Sequence, residues 1–429
     1  MKIYVLCVFV LMYVLIVALP KWKAFVAGGA ALLCAVGCLI GGAMTGLDVL
    51  TSIDFNVVLM LLGIMITVGI FSDSNMPNKL ADGLMQKVPN GLAALVLLSV
   101  LSGVVSAFID NVATVLMFAP IGLAAAKKMK VSPIPVIISI AVSSNLQGAA
   151  TLVGDTTSIM LGGFANMGFM DFFFLDGKPS IFWAVEIGAL LTVPVLMFVF
   201  RKTNGKLDLQ LEETIEVKSV FPTVLLLLNI VSLIVLSFVP NKIELTNGIT
   251  CIVFAVVGLI WYVIKNKKGT LSMLKESVDT MTIFFLLFLF IVIAAVEKVG
   301  IIADISSLFV SIGDKNVFLL YTLIVFASVA FSAVIDNIPY VATMLPVISG
   351  LAAGLPSVSP YLLYFGLLSG ATLGGNITPV GASANVVGIG ILQKEGYQVK
   401  NSDFFKIGIP FTLVAVLGSY LFVWFVWGA

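Results

Sequence analysis

An aspartate beside an asparagine occurs twice in this chain, each time in apolar surroundings. Residues 106–111 read S-A-F-I-D-N and residues 332–337 read S-A-V-I-D-N. Asp110 and Asp336 lie 226 residues apart, about half of the 429-residue chain. A carboxylate inside an apolar run is costly in a membrane and marks a functional site by default. Burial disfavours the charged form of a carboxyl, and a neighbouring amide can bond to either form. Such a pair can hold a proton, or trade it for sodium, a hard cation that takes carboxylate, amide, hydroxyl and carbonyl oxygens. A third acid, Asp155, lies in the polar stretch 143–158, S-S-N-L-Q-G-A-A-T-L-V-G-D-T-T-S. The matching stretch 370–385, G-A-T-L-G-G-N-I-T-P-V-G-A-S-A-N, carries Ala382 in its place. All three aspartates also fit a plainer role as helix N-caps, a role compatible with function.

These residues need a membrane scaffold. The chain is 60% hydrophobic and 10% charged, with a mean hydropathy of +1.16. Soluble domains run nearer 45–50% apolar and about 25% charged. The chain is therefore an all-α polytopic membrane protein, long enough for ten or more spans of roughly 20 residues. A net charge of +1 argues against nucleic acid as a partner. With no histidine, histidine relays and histidine metal sites are excluded. Cys7, Cys34, Cys38 and Cys251 all sit in apolar segments and read as packing residues. No P-loop string is present, which argues against an ATP-driven pump.

Apolar runs place spans at 3–19, 24–46 and 55–71, an amphipathic interfacial helix at 76–88, and segments 91–108 and 112–126 around the first D-N. Residues 134–165 form one long, interrupted segment, and 181–200 close the half. The first run lacks a cleavage site and reads as a retained span. A hydrophilic linker follows at 201–219, with Glu212, Glu213 and Glu216. The order then repeats: spans at 221–239, 248–264 and 281–296, an interfacial helix at 299–312, segments 317–334 and 338–351 around the second D-N, an interrupted segment 361–392 and a last span 407–427. Pro120 and Pro346 each follow their aspartate by ten residues, and Thr151 and Val153-Gly154 recur as Thr378 and Val380-Gly381. The division is thus 1–200, a linker, and 220–429, an internal repeat of the kind common in secondary transporters.

With five transmembrane segments per half, eighteen of the 23 lysines and arginines fall on one side. The positive-inside rule makes that side cytoplasmic. Both termini then lie outside, the linker lies inside, and the odd number of spans inverts the second repeat. Each D-N pair could be a re-entrant hairpin or two full spans. Glycines, hydroxyls and amides break the long segments in mid-run, and broken membrane helices line cavities or pack within protein. Their half-helix ends present N–H groups to anions and C=O groups to cations. Tight glycine packing between helices is the competing explanation. The candidate ion- and substrate-binding residues are Asp110, Asn111, Thr114, Asn145, Gly148, Thr151, Gly154, Asp155, Thr156 and Ser158 in the first half. In the second they are Asp336, Asn337, Asn376, Thr378, Gly381, Ser383 and Asn385. Asp110 and Asp336 are the candidate sodium ligands, sodium or a proton being the coupling ion, and no cofactor is expected.

The strings at 109–121, 148–158, 335–347 and 374–385 resemble the ion transporter superfamily, in particular its ArsB/NhaD permease branch with a citrate-transporter-like domain. The resemblance covers essentially the whole chain. It implies inverted repeats, each with a re-entrant helical hairpin (91–126 and 317–351) whose tip carries D-N, and a broken helix (134–165 and 361–392). It also implies a homodimer in the cell membrane and elevator-like movement. Members of the branch move arsenite, exchange sodium for protons or carry organic anions. Dicarboxylate–sodium symporters of the wider superfamily have S-N-T at the tips, whereas this chain has aspartates, which repel a dicarboxylate. Sodium–proton exchange is therefore the leading expectation, with an ion-coupled permease for a small anion, such as an organic acid or arsenite, as the alternative. No cysteine lies in the motifs to recognise arsenite. An intramembrane aspartyl protease would need a carboxylate dyad, but Gly154-Asp155 lacks the usual G-x-G-D. A channel would show no saturable counterflow.

Overall fold

The computed structural model describes residues 1–85, 88, 90–203 and 216–428. Most of the linker, including Lys206, Glu212 and Glu213, lies outside the described residues, as does Lys87. Among the described residues are twenty α-helices, ten in each half. The first half holds α1 (Lys2–Ala18), α2 (Lys23–Ile40), α3 (Gly46–Thr51), α4 (Phe55–Asp73), α5 (Met76–Met85), α6 (Gly91–Ser106), α7 (Asn111–Lys128), α8 (Pro133–Gly148), α9 (Thr156–Phe164) and α10 (Ile181–Phe200). The second holds α11 (Phe221–Ser237), α12 (Thr246–Asn266), α13 (Thr270–Ser277), α14 (Thr280–Lys298), α15 (Ile301–Gly313), α16 (Val317–Ser332), α17 (Asn337–Gly354), α18 (Pro360–Gly374), α19 (Ser383–Lys394) and α20 (Asn401–Trp427).

The same local chemistry starts matching helices in both halves. Asp54 caps α4 by accepting from the Val57 N–H at 3.0 Å, and Asp279 caps α14 by accepting from the Thr282 N–H at 3.0 Å. Asn90 and Asn316 cap α6 and α16 in the same way. Side-chain acceptors of this kind satisfy N–H groups that a helix end leaves open, which in lipid have no water to turn to.

Packing repeats the correspondence. α4 lies along α12, and α2 along α14; α10 packs on its counterpart α20, while α8 packs on α6 as α18 packs on α16. Along the α4–α12 contact, Asn56 meets Gly248, Gly63 meets Cys251 and Ile70 meets Gly258, so these two helices run parallel. Gly69 near the end of α4 meets Ser277 just before α14, so α4 and α14 run antiparallel. In turn α2 runs with α14, since Lys23 meets Phe285 and Gly28 meets Phe288. Hence α12 runs opposite to α2, its counterpart, which is the arrangement an inverted repeat requires.

Among the described residues seven helices are long and apolar enough to cross a membrane, and α1, α6, α11, α15 and α16 are shorter apolar helices. Large side chains such as Leu190, Ile264 and Phe425 are more than two-thirds exposed. Apolar surface of this extent suits lipid contact. Cys34, Cys38 and Cys251 are buried, and Cys7 is exposed on α1.

Three features depart from the sequence pattern. The span expected at 24–46 stops at Ile40, and α3 starts separately from a capping box between Thr45 and Asp48. Short helices such as α3 and α13 carry no apolar run long enough to register as a span. The last helix starts at Asn401, before its apolar run at 407, because Asp403 closes a cap on the Lys400 N–H. Phe174–Leu175 and Lys178–Pro179 pair as a two-stranded hairpin before α10, too short for any periodicity to reveal.

Candidate ion and substrate site

Both D-N strings form tight turns between helices. At the first, Asp110 accepts from the Val112 and Ala113 N–H groups at 3.0 and 3.1 Å, and α7 starts at Asn111. At the second, Asp336 accepts from the Ile338 N–H at 3.2 Å and α17 starts at Asn337. The backbone angles at the two aspartates agree within a few degrees. The capping role and the matched site therefore coexist. Ser106, Ala107, Ser332 and Ala333 at these turns are buried, while Val334 in the second is 59% exposed.

What buries the turns is the pair of helix breaks. α8 ends at Gly148 and α9 starts at Thr156; α18 ends at Gly374, a 3-10 turn covers Gly375–Ile377, and α19 starts at Ser383. The Thr151 hydroxyl donates to the Ala107 carbonyl, and the Thr378 hydroxyl donates to the Ala333 carbonyl at 2.6 Å. A Cβ on Gly154 would lie 2.6 Å from the Gly148 carbonyl oxygen and 2.7 Å from those of Ser106 and Ala107. A Cβ on Gly381 would lie 2.6 Å from the Gly375 oxygen and 2.9 Å from that of Ser332. Gly148, Gly154 and Gly381 thus serve close backbone packing, and Thr151 and Thr378 clamp each break to its tip. Thr114 stays within its hairpin, donating toward the Ile109 carbonyl. Asn385 holds the second break through the Gly375 and Thr378 carbonyls.

The two halves meet through amides. Asn111 donates to Asn145 at 3.0 Å, Asn145 donates to Asn376 at 3.0 Å and to the Thr372 carbonyl at 2.8 Å, and Asn376 donates to the Val142 carbonyl at 2.9 Å. Ser144 ties the first tip through Ser106 and the Asn111 carbonyl. All the side chains in this chain of bonds are buried, where an unmet polar group is expensive. Ser158 is buried with no partner for its hydroxyl among the described residues.

A cavity of about 890 Å³ opens from the ends of α4 and α12 and from α13 down to this junction. Its inner end is lined by Asp110, Asn111, Asp155, Thr156, Asn337 and Ser383. Among the described residues its charged lining side chains are Asp73, Asp110, Asp155, Glu276, Asp279 and Lys275, and Asp73 is paired with Lys218 at 2.9 Å. That balance favours cations over multiply charged anions. Asp155, only 5% exposed, accepts from the Thr157 hydroxyl at 3.0 Å and faces the Asn337 amide at 3.5 Å. Thr157 also meets Thr372 across the repeat at 3.1 Å. Among the described residues neither Asp110 nor Asp155 is in an ion pair, whereas Asp336 is held by Lys23 at 2.7 Å. Of the two aspartates expected to ligate sodium, one therefore faces the cavity and the other a lysine.

Asp155 and Ala382 have nearly the same extended backbone, each just ahead of a half-helix. The unmatched acid therefore sits on matched scaffolding. Lys23, Thr157, Thr372 and Asp279 were absent from the sequence-derived set. Lys23 counts in sequence only among the cytoplasmic-side lysines. Thr157 and Thr372 lay in the broken stretches but without a matching partner at the same offset.

Comparison with known proteins agrees with this architecture. Residues 11–370 match the CitMHS family, described as "Citrate transporter". Two uncharacterised transporters of Mycobacterium tuberculosis (strain H37Rv) are 30% and 29% identical, each over 99% of this chain and 98% of the relative. The human P protein is 26% identical over 88% of this chain and 54% of its own length. The YdaH transporter of Alcanivorax borkumensis shares the fold with a TM-score of 0.60 at 14% identity, over 91% of this chain and 88% of that one. MtrF of Neisseria gonorrhoeae aligns with a TM-score of 0.53 at 15% identity, over 86% of this chain and 80% of that one. The chain belongs to the CitMHS citrate transporter family and is a multi-pass membrane transporter, not an enzyme.

Proposed function

We propose that this transporter exchanges sodium for protons, with Asp155 as the carboxyl that changes partner. One observation carries the reading: Asp155 is buried at the inner end of an acidic cavity and, among the described residues, is in no ion pair. An unpaired buried carboxylate is costly, and a proton or a bound cation removes that cost. Thr157 and Asn337 direct their hydroxyl and amide at Asp155, and Asp110 and Asn111 line the same end of the cavity. The exchanged ions compete for Asp155, so sodium arriving from one side releases a proton to that side. The cavity is the cytoplasmic access route, following the lysine distribution, and both termini lie outside the cell membrane. The functional unit is a homodimer.

A second reading rests on the opposite break. Ala382 leaves the first turn of α19 without a carboxylate at the cavity. A small organic anion could supply that carboxylate, since helix N-termini favour anions. The family description as a citrate transporter points the same way. Proteoliposomes separate the two. Sodium-driven proton flux without added anion supports exchange. Absence of that flux, together with uptake of an organic anion, replaces it with the permease.

A further inference from the structure

The two tips share their string, their capping bonds and their backbone angles, yet their carboxylates have different company. Asp336 uses one oxygen as a cap and gives the other to the Lys23 ammonium at 2.7 Å. Both side chains are under one-fifth exposed. Lys23 does not belong to the hairpin. It starts α2, which packs along α14, and its ammonium lies 5.5 Å from the Phe285 ring centroid. Asp279 at the start of α14 adds a second negative field to it. In the other half, the counterpart helix α12 starts with Thr246, Asn247 and Gly248, which carry no charge. Among the described residues no ammonium pairs with Asp110 in the way that Lys23 pairs with Asp336.

An ammonium on a carboxylate oxygen is a monovalent cation in the position where a sodium ion would sit. We propose that Lys23 is a tethered cation that fills the cation place at the second tip, so that this tip takes up no mobile cation and only the Asp110–Asp155 side does. Lys23 is then a specificity-determining residue: it sets how many cations bind. The inference rests on the reading that the tips are cation sites. Its test requires no transport.

The experiment is thermal unfolding of the full-length protein in detergent, titrated with sodium chloride against choline chloride. A ligand that binds only the folded state raises its stability in proportion to RT ln(1 + [L]/Kd). Lys23→Met keeps the stem against Phe285 and removes the charge. It should gain a sodium-dependent rise in unfolding midpoint beyond that of the wild type, about 2 °C when sodium is at roughly ten times its Kd. Lys23→Arg should respond as the wild type does, and Asp336→Asn in the Lys23→Met background should abolish the gain. Lys23→Gln is a second variant read in the same way. A wild-type sodium response in both neutral variants overturns the proposal, and so does a gain that survives Asp336→Asn. Should either single variant fail to fold, Asp336→Asn must rescue it; no rescue also overturns the pairing. Failure of sodium–proton exchange in liposomes would leave these outcomes readable.

Discussion

The first and second tips are built alike and balanced differently. In both, a helix ends at serine, a turn follows, and aspartate caps the next helix while a threonine from the break clamps the turn. Around that shared frame, the aspartate of the first tip faces an acidic cavity and that of the second a partly buried lysine. At the breaks, Asp155 stands opposite Ala382. The paired features hold the backbone where two broken helices and two hairpins must meet. The unpaired ones decide what charge the junction can take. A duplicated architecture thus brings the candidate residues together, and departures from the duplication set the charge around them.

The sharpest way to break this comparison is at Asp155. Asp155→Asn keeps an acceptor for Thr157 and removes the ionisable group. Ion-coupled flux in proteoliposomes should fall to the level of protein-free vesicles while the protein stays folded. Ala382→Asp added to Asp155→Asn should not restore it, because the Thr157 and Asn337 partners are on the other side of the pseudosymmetry. Restored flux would mean that the two breaks are interchangeable.

The glycines test the opposite claim, that the scaffold is shared. Gly154→Ala and Gly381→Ala each press a methyl group into backbone carbonyls. Overpacking of this kind costs about 1–3 kcal/mol, and backbone atoms yield less readily than side chains. Both variants should therefore lie near the upper end and within about 1 kcal/mol of each other, as read by unfolding in detergent. A large inequality would show that the matched glycines have unmatched roles.

A smaller difference should separate the aspartates as structural residues. Asp110→Ala removes a cap, at about 1 kcal/mol. Asp336→Ala removes a cap and strands Lys23. A fully buried stranded charge costs about 3–5 kcal/mol, and the partial exposure of this pair reduces that. Asp336→Ala should thus be the more destabilising by about 1–2 kcal/mol. Equal losses would mean that Lys23 finds water or another acceptor.

Much of this frame was legible in the sequence because its signals are periodic or repeated. The apolar runs set the spans, the D-N strings set the tips, and the glycine-rich interruptions set the breaks. The boundaries of α6 and α10 matched to the residue at their N-termini, since Asn90 and Ser180 precede uniform apolar runs. Of the candidate residues, Asp110, Asn111, Asp155, Thr156, Asn337 and Ser383 line one cavity. What stayed hidden was contact between elements far apart in the chain. Nothing local in K-W-K at 21–23 says that Lys23 reaches a turn 313 residues away. Nor does any motif show that the Asn145 amide bridges the halves. A repeat search also favours residues that match at one offset, so it passed over Lys23 and Thr372, whose importance lies in having no matching partner.

The weakest expected effect concerns a second ion pair between the halves, and it shows why location decides the outcome. Lys298 at the end of α14 meets Asp48 on α3 at 2.9 Å, close to the 2.7 Å of Lys23 and Asp336. The Lys298 side chain is 51% exposed, so water and salt screen the attraction and compete for both charges. Asp48 also keeps its contacts to Thr45 in the capping box of α3. Asp48→Asn should therefore leave the unfolding midpoint unchanged within error, and raising salt should not alter that result. The partly buried pair should behave otherwise, with neutralisation of either partner lowering the midpoint at every choline chloride concentration. If Asp48→Asn proves as damaging as Lys23→Met, geometry alone sets the worth of these bridges, and the special standing of the second tip is lost.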